Sequence, residues 1–256
     1  MASVIEEAAI AAAIKAYDTN AGLAVRAVFE LVHGIVQGNG LAGLADALAE
    51  AYPALVAEYG YTHANVALEM YNAMRGAADL NDGHTTTLSY EKVLKIAYDM
   101  ARHDLVGMSY DDEERVASEL AGKAVSDCGT ISDRCLTSWA YNDPAKPRCA
   151  IVPEPGACAW CRMIASRGFV YAVDMQPSRH PNCRCRSVVS FASHPRIKGY
   201  DPDALKQEWK DAYNDASGKS NDKRDDALRK MNQESGYWKQ KYALAKSRDE
   251  EDESTS

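Results

Sequence analysis

Five side chains in two short stretches have the types and spacing to hold a metal. Cys158-Ala159-Trp160-Cys161 is a C-x-x-C pair, and about twenty residues later follows His180-Pro181-Asn182-Cys183-Arg184-Cys185. A C-x-x-C turn presents two thiolates to one point, and a His and a Cys from a second turn complete a tetrahedron suited to Zn²⁺. Five candidates compete for four places. Cys183 and Cys185 are two apart and would face the same side of a strand, so the spacing does not choose between them. Asp174 is the only acid between the two clusters, and a catalytic zinc needs a base nearby and an open position. A closed, structural site is therefore expected.

The other candidates for chemistry are weaker. Seven cysteines, odd in number and confined to 128–185, do not read as a disulfide framework. Cys128, Cys135 and Cys149 have no histidine at ligand spacing and read as buried or idle thiols. A thioredoxin-type use of the C-x-x-C lacks its βαβ context. His33, His63, His84, His103 and His194 are scattered and assemble no nucleophile, base and orienting acid. No G-x-x-x-x-G-K-[ST] loop or G-x-G-x-x-G turn occurs, so nucleotide use is unsupported.

The frame that must position the five residues is read from composition and periodicity. At 256 residues with 46% hydrophobic and 26% charged side chains, a folded core is expected, in one or two domains. No apolar run is long enough for a membrane span. Ala8–Ile14 follows Glu6 and Glu7 rather than a basic segment, so a secretory signal is not expected and synthesis in the cytoplasm is. The formal charge of −8 is uneven: residues 1–145 hold 9 Lys/Arg against 21 Asp/Glu, 146–198 hold 9 against 2, and 199–256 hold 11 against 14. A basic block inside an acidic chain either contacts nucleic acid or an acidic partner, or answers the acidic helices of its own molecule.

Apolar stripes at i, i+3, i+4, i+7 mark helices: Val28, Leu31, Val32, Ile35; Val93, Ile96, Ala97, Met100; and shorter sets within Leu41–Tyr52, Ala64–Met74 and Asp111–Ser126. Ser89 is placed to cap one of them and the acids Asp111 to Glu114 to start another. Gly38-Asn39-Gly40 and Gly60 read as breaks, and Pro53 as the end of one helix or the start of the next. Pro144, Pro147, Pro153 and Pro155 forbid a continuous helix beyond about residue 144. Three β-prone runs follow, Cys149–Val152, Phe169–Val173 and Arg184–Phe191. The reading is an α+β fold: a helical domain over 1–145, a zinc-binding module with a short sheet over 146–200, and a charged tail over 201–256. In the tail Trp209, Tyr213, Trp238 and Tyr242 hint at helices that dock, while solvated or disordered chain is the favoured reading overall.

Val152-Pro153-Glu154-Pro155-Gly156-Ala157-Cys158-Ala159-Trp160-Cys161, then Ala165-Ser166-Arg167-Gly168-Phe169-Val170-Tyr171 and the H-x-x-C-x-C closing at Cys185, together resemble the Mu F-like minor head proteins of tailed bacteriophages, closest to the variant of phages infecting actinobacteria. The resemblance is motif-deep over Val152–Val189 and looser over the helical half. It implies a virion protein in the capsid interior, present in few copies, associated with the portal and with capsid or scaffold proteins, and assisting head assembly or DNA ejection. Arg162, Arg167, Arg179, Arg184, Arg186 and Arg196 would then face packaged double-stranded DNA or an acidic portal surface, a contact that weakens with salt. One lineage carries the label of capsid maturation protease. No proteolytic constellation is legible, so the expectation is a structural protein, with protease or zinc-dependent hydrolase as the alternative.

Overall fold

A computed structural model describes residues 4–80, 82–154, 156–170, 180, 182–192, 195–219 and 221–234. In chain order the elements are α1 (Val4–Asn39), a 3₁₀ turn (Leu41–Gly43), α2 (Leu44–Ala77), α3 (Tyr90–Leu105), α4 (Glu113–Asn142), β1 (Arg148–Val152), α5 (Ala159–Ala165), β2 (Arg186–Ser190), α6 (Pro202–Asp215) and α7 (Asn221–Glu234). The fold is α+β, with helices dominant.

Capping chemistry sets the helix starts. Ser89 caps α3 through the Lys92 amide, Asp112 caps α4 through the Arg115 amide, and Asp201 caps α6 with Pro202 in the first turn. Gly40, at φ 67°, stops α1 in the left-handed region that its missing Cβ permits. Two expected breaks do not occur. Pro53 and Gly60 both lie inside the unbroken α2. Pro53 is buried between Tyr52 and Val56 in the core, so packing of that face offsets the lost backbone hydrogen bond. Gly60 lies where α2 meets α4: a Cβ there would come 2.4 Å from Ile131 Cδ1, so its small size serves close helix packing rather than a turn. α4 likewise runs sixteen residues past Ser126, to Asn142, because Cys128, Ile131, Leu136, Trp139 and Ala140 keep an inward face.

Two cores share these helices. One is wholly helical, with Val28 and Val32 of α1, Leu48 to Ala64 of α2, Val93 and Ala97 of α3 and Val116 to Ile131 of α4. The other gathers the start of α1 (Ile10, Tyr17), the end of α2 (Met70, Tyr71, Met74) and the end of α4 (Leu136, Trp139) around β1, α5 and β2. Residues before and after 145 thus bury one another. β1 and β2 pair antiparallel, with Cys149 opposite Val189 and Val152 opposite Arg186. Among the described residues the sheet has these two strands only. Of the second run predicted, Phe169 and Val170 lie in a turn, where Gly168 at φ 69° reverses the chain after α5, and Tyr171–Val173 lie outside the described residues.

An ion cluster locks the second core. Asp143, the C-cap of α4, is fully buried; it accepts from Tyr71 Oη at 2.5 Å, from the Ala145 amide at 2.8 Å and from Arg75, which also reaches Asp82. Arg75 lies over the Phe191 ring, 5.6 Å from its centroid. One guanidinium therefore joins α2, the loop before α3, α4 and the end of β2.

Asp127 of α4 carries a pH signature. Burial, reinforced by the neighbouring Asp104 carboxyl, pushes its pKa up to about 9. The folded chain then holds a proton that the unfolded chain releases above about pH 4, so stability falls as pH rises across the window from about 4 to 9. Asp127→Asn, which keeps the shape and removes the titration, is expected to flatten that decline; melting temperatures of both proteins at pH 5 and pH 8 measure it.

Candidate metal centre

α5 and the segment before β2 bring the two cysteine clusters together. Cys158 is the N-cap of α5, and its sulfur accepts from the Cys161 amide at 3.5 Å. Cys161 sits one turn in. The second cluster arrives on a tight turn: the Cys183 amide bonds to the His180 carbonyl at 3.1 Å, with Asn182 at φ 63°, a left-handed conformation that asparagine tolerates. That turn is seated on the helical half, since the Asn182 amide donates to the carbonyl of Gly122 in α4 at 2.8 Å.

Gly122 leaves room for this seat. A Cβ there would stand 2.7 Å from Asn182 Nδ2 and 3.1 Å from its Cγ, so Gly122→Ala displaces the Asn182 side chain. Overpacking of this kind costs about 1 kcal/mol, so a loss of metal affinity of up to about fivefold is expected. Adding Asn182→Gly, which suits the positive φ, is expected to restore it. Competition with a zinc chelator reads both effects.

The five candidate ligands assemble as two overlapping groups of three. Cys158, Cys161 and His180 form one group of donor atoms mutually within 4.8 Å, and Cys161, Cys183 and Cys185 form a second. Cys161 belongs to both and is the pivot. The four cysteines are buried, between 2% and 7% exposed. Zn–S bonds of about 2.3 Å and Zn–N bonds of about 2.0–2.1 Å imply tetrahedron edges of about 3.8 Å (S–S) and 3.6 Å (S–N). Cys161 Sγ lies 3.7 Å from Cys183 Sγ and 3.6 Å from His180 Nε2. Cys158 Sγ and His180 Nε2 are closer, at 3.1 Å, as a directly hydrogen-bonded pair. The donor set fits Zn²⁺.

The electrostatics point the same way. Hydrogen bonding from the Cys161 thiol, then from His180 and the Cys161 amide, outweighs burial and lowers the Cys158 pKa below the ordinary thiol value, which favours the thiolate there. The Cys161 thiol is held well above the ordinary range by contact with the sulfurs of Cys158, Cys183 and Cys185 and by burial. Sulfurs crowded to the point of sharing protons are relieved by a divalent cation, which displaces those protons and makes affinity rise with pH.

Glu154 is a neighbour that spacing did not bring out. Its carboxyl is raised by burial, is partly held down by the charge and backbone amide of Arg184, and feels the charge of Cys183; its own amide bonds to the Cys185 sulfur. It precedes Cys158 by four residues, so attention to acids between the clusters misses it.

The arginines divide. Arg186 is 6% exposed; it pairs with Asp18 of α1 at 3.3 Å and lies over the Tyr17 ring at 5.0 Å. Arg162 pairs with Glu208 and donates to the Met231 carbonyl at 2.7 Å. These two answer groups of their own molecule rather than an outside partner, the second of the two uses open to a basic block. Arg184 is half-buried beside Glu154, Arg167 and Arg196 are exposed, and Arg179 lies outside the described residues.

The region expected to be mostly solvated tail is helical through Glu234 and docks on this chain. The Ala159 amide donates to Asn232 Oδ1 at 2.7 Å, and Ala159, Ala212, Ala227 and Met231 form a small core between α5, α6 and α7. Short apolar residues flanked by charge conceal such a face from a composition-based reading. Trp238, Tyr242 and the acidic end lie outside the described residues.

Residues 4–212 match the family described as VG15 protein. The chain belongs to that family. It is a phage protein, and the matched region takes in α1 to most of α6 with both cysteine clusters. No curated protein and no solved structure matches the chain.

Proposed function

We propose that this phage protein is a Mu F-like minor head protein: a structural virion component, inside the capsid near the portal, that takes part in head assembly or DNA ejection. It would be made in the host cytoplasm and enter the procapsid with portal, capsid or scaffold proteins. The observation carrying this reading is that Cys158, Cys161 and half-buried His180 form one donor group and Cys161, Cys183 and Cys185 a second that shares Cys161, within the stretch whose motifs resemble that family. In this reading Zn²⁺ is a staple: it ties α5 to the turn that Gly122 seats on α4, and so fixes the small module to the helical body. Burial of all four sulfurs favours a closed coordination shell over one that admits substrate. The exposed Arg167 and Arg196 would supply the contact to packaged DNA or to an acidic portal surface.

Procapsids purified from infected cells test the proposal. The chain should co-purify with the portal at low copy number and with about one zinc per chain; procapsids that lack it overturn the assignment. Glu154 motivates a second reading, a zinc-dependent hydrolase or capsid maturation protease with this carboxyl as base. Glu154→Gln should leave capsid protein processing unchanged if the structural reading holds, and should abolish it if the hydrolytic one does.

A further inference from the structure

Between α5, α6 and the start of α7 lies a cleft of about 700 Å³, within the range of about 300–1,000 Å³ usual for ligand sites. α6 lines it with Lys206, Trp209, Lys210 and Tyr213, which follow one another at i, i+3, i+4 and i+7 on a single helical face. Cations and aromatic rings therefore alternate along it. Trp160 and Arg167 of the α5 segment and Arg224 of α7 also line it. Trp209 and Tyr213 stand with ring centroids 5.5 Å apart, and Lys223 Nζ caps the Tyr213 ring at 4.9 Å.

The charge of this cleft runs against the rest of the chain. No carboxylate is among its lining residues, in a protein of formal charge −8. Several acids of α6 and its cap are engaged elsewhere. Asp201 caps the helix, Glu208 pairs with Arg162, Asp211 accepts from Gln207 at 2.8 Å, and Asp215 accepts from Lys230 at 2.5 Å. Lys206 and Lys210 are exposed and make no ion pair among the described residues. Arg224 is paired with Asp225 at 3.0 Å, so the unpaired positive charge beside these half-buried rings is that of Lys206 and Lys210.

We infer that this cleft binds unpaired nucleic acid, with bases stacked on Trp160 and Trp209 and phosphates set against Lys206, Lys210, Arg167 and Arg224. Base faces are available only where strands are unpaired, and a groove that interleaves rings with cations matches their alternation with phosphates. A duplex would use the cations and leave the rings idle, as would an acidic peptide. The cleft adjoins the cysteine cluster, since Trp160 lies between Cys158 and Cys161, but the inference does not depend on a portal contact.

The test uses the full-length, zinc-loaded chain and a labelled oligothymidylate of about 15 nucleotides, followed by anisotropy and tryptophan quenching. Binding is expected to quench tryptophan fluorescence and to weaken with salt at a log–log slope of roughly −2 to −3, for three or four neutralised phosphates. Trp209→Ala should weaken binding about tenfold with the slope retained, and Trp209→Phe should recover most of it. Lys206→Glu with Lys210→Glu, at exposed unpaired positions that folding does not need, should flatten the slope by about 1.4. Absence of quenching, equal affinity for a blunt duplex of the same length, displacement by polyglutamate as readily as by oligothymidylate, or unchanged binding by the double lysine variant would each overturn the inference.

Discussion

On the proposed staple reading, Cys161→Ser is expected to abolish zinc binding and to unfold the module around β1, α5 and β2. Cys161 is the one residue common to both donor groups, so its loss leaves Cys158 and His180 on one side and Cys183 and Cys185 on the other with no shared ligand, whichever of Cys183 and Cys185 is the fourth. Structural zinc contributes on the order of 10–16 kcal/mol of apparent binding energy, comparable to or above the ~5–15 kcal/mol of a typical domain, and a two-stranded sheet is marginal by itself. The helical core of Val28, Leu48, Val93 and Leu120 lies apart from the site, so most helical circular dichroism should survive while amide protection in 148–190 collapses. Elemental analysis joined to hydrogen exchange reads both. A Cys161→Ser protein that keeps zinc and protection refutes the staple. Cys183→Ser and Cys185→Ser, compared in the same way, identify the fourth ligand: one should lose the metal and the other retain it.

Asp143→Ala is expected to be the most damaging change away from the metal. It removes the acceptor of Arg75, whose side chain is 7% exposed, and leaves that cation with the more exposed Asp82 alone. The Tyr71 hydroxyl and the Ala145 amide lose their acceptor as well. Breaking a buried pair from one side costs about 3–5 kcal/mol, and at roughly 2–4 °C per kcal/mol for a chain of this size the melting point should fall by about 10 °C. Replacing both partners, Asp143→Ala with Arg75→Met, should return part of the loss, because the uncompensated charge is then gone. If the double variant melts below the single one, the cluster is not acting as an isolated pair. Burial opposes ionisation of Asp143, yet Arg75 and Tyr71 still hold its pKa below the ordinary value. The sign follows: this stability is present above about pH 4 and is lost as pH falls below it.

How much was legible in the sequence varied with the range of the forces involved. Ser89 and Asp112 act through amides three residues away, and Gly40 through its own φ, so local rules found the Ser89 cap, the acidic start of α4 and the stop at Gly40. Pro53 and Gly60 obey the same rules in isolation, but their outcome was set by partners far along the chain: the core around Tyr52 and Val56, and Ile131. The arginines show the same division. Net charge marked the block from 146 to 198 as basic, whereas the pairing of Arg186 with Asp18, separated by 168 positions, depends on β2 lying against α1. The docking of α6 and α7 buries only Ala159, Ala212, Ala227 and Met231, with Trp209, Tyr213 and Leu228 half-buried around them, and the two aromatics were the one hint of it amid the surrounding charge.

From the order of residues alone came the five candidate ligands, the α+β class, the Ser89 cap, the acidic start of α4 and the charge asymmetry, since each depends on residue type and on spacing within a turn or two. Tertiary structure alone decided that five donors converge on Cys161, that Glu154 stands beside them, that α4 seats the second ligand turn through Gly122, and that a cationic, ring-lined cleft opens beside α5. Those are distances between segments tens of residues apart, and they are fixed by which faces bury each other, a property of the packed whole.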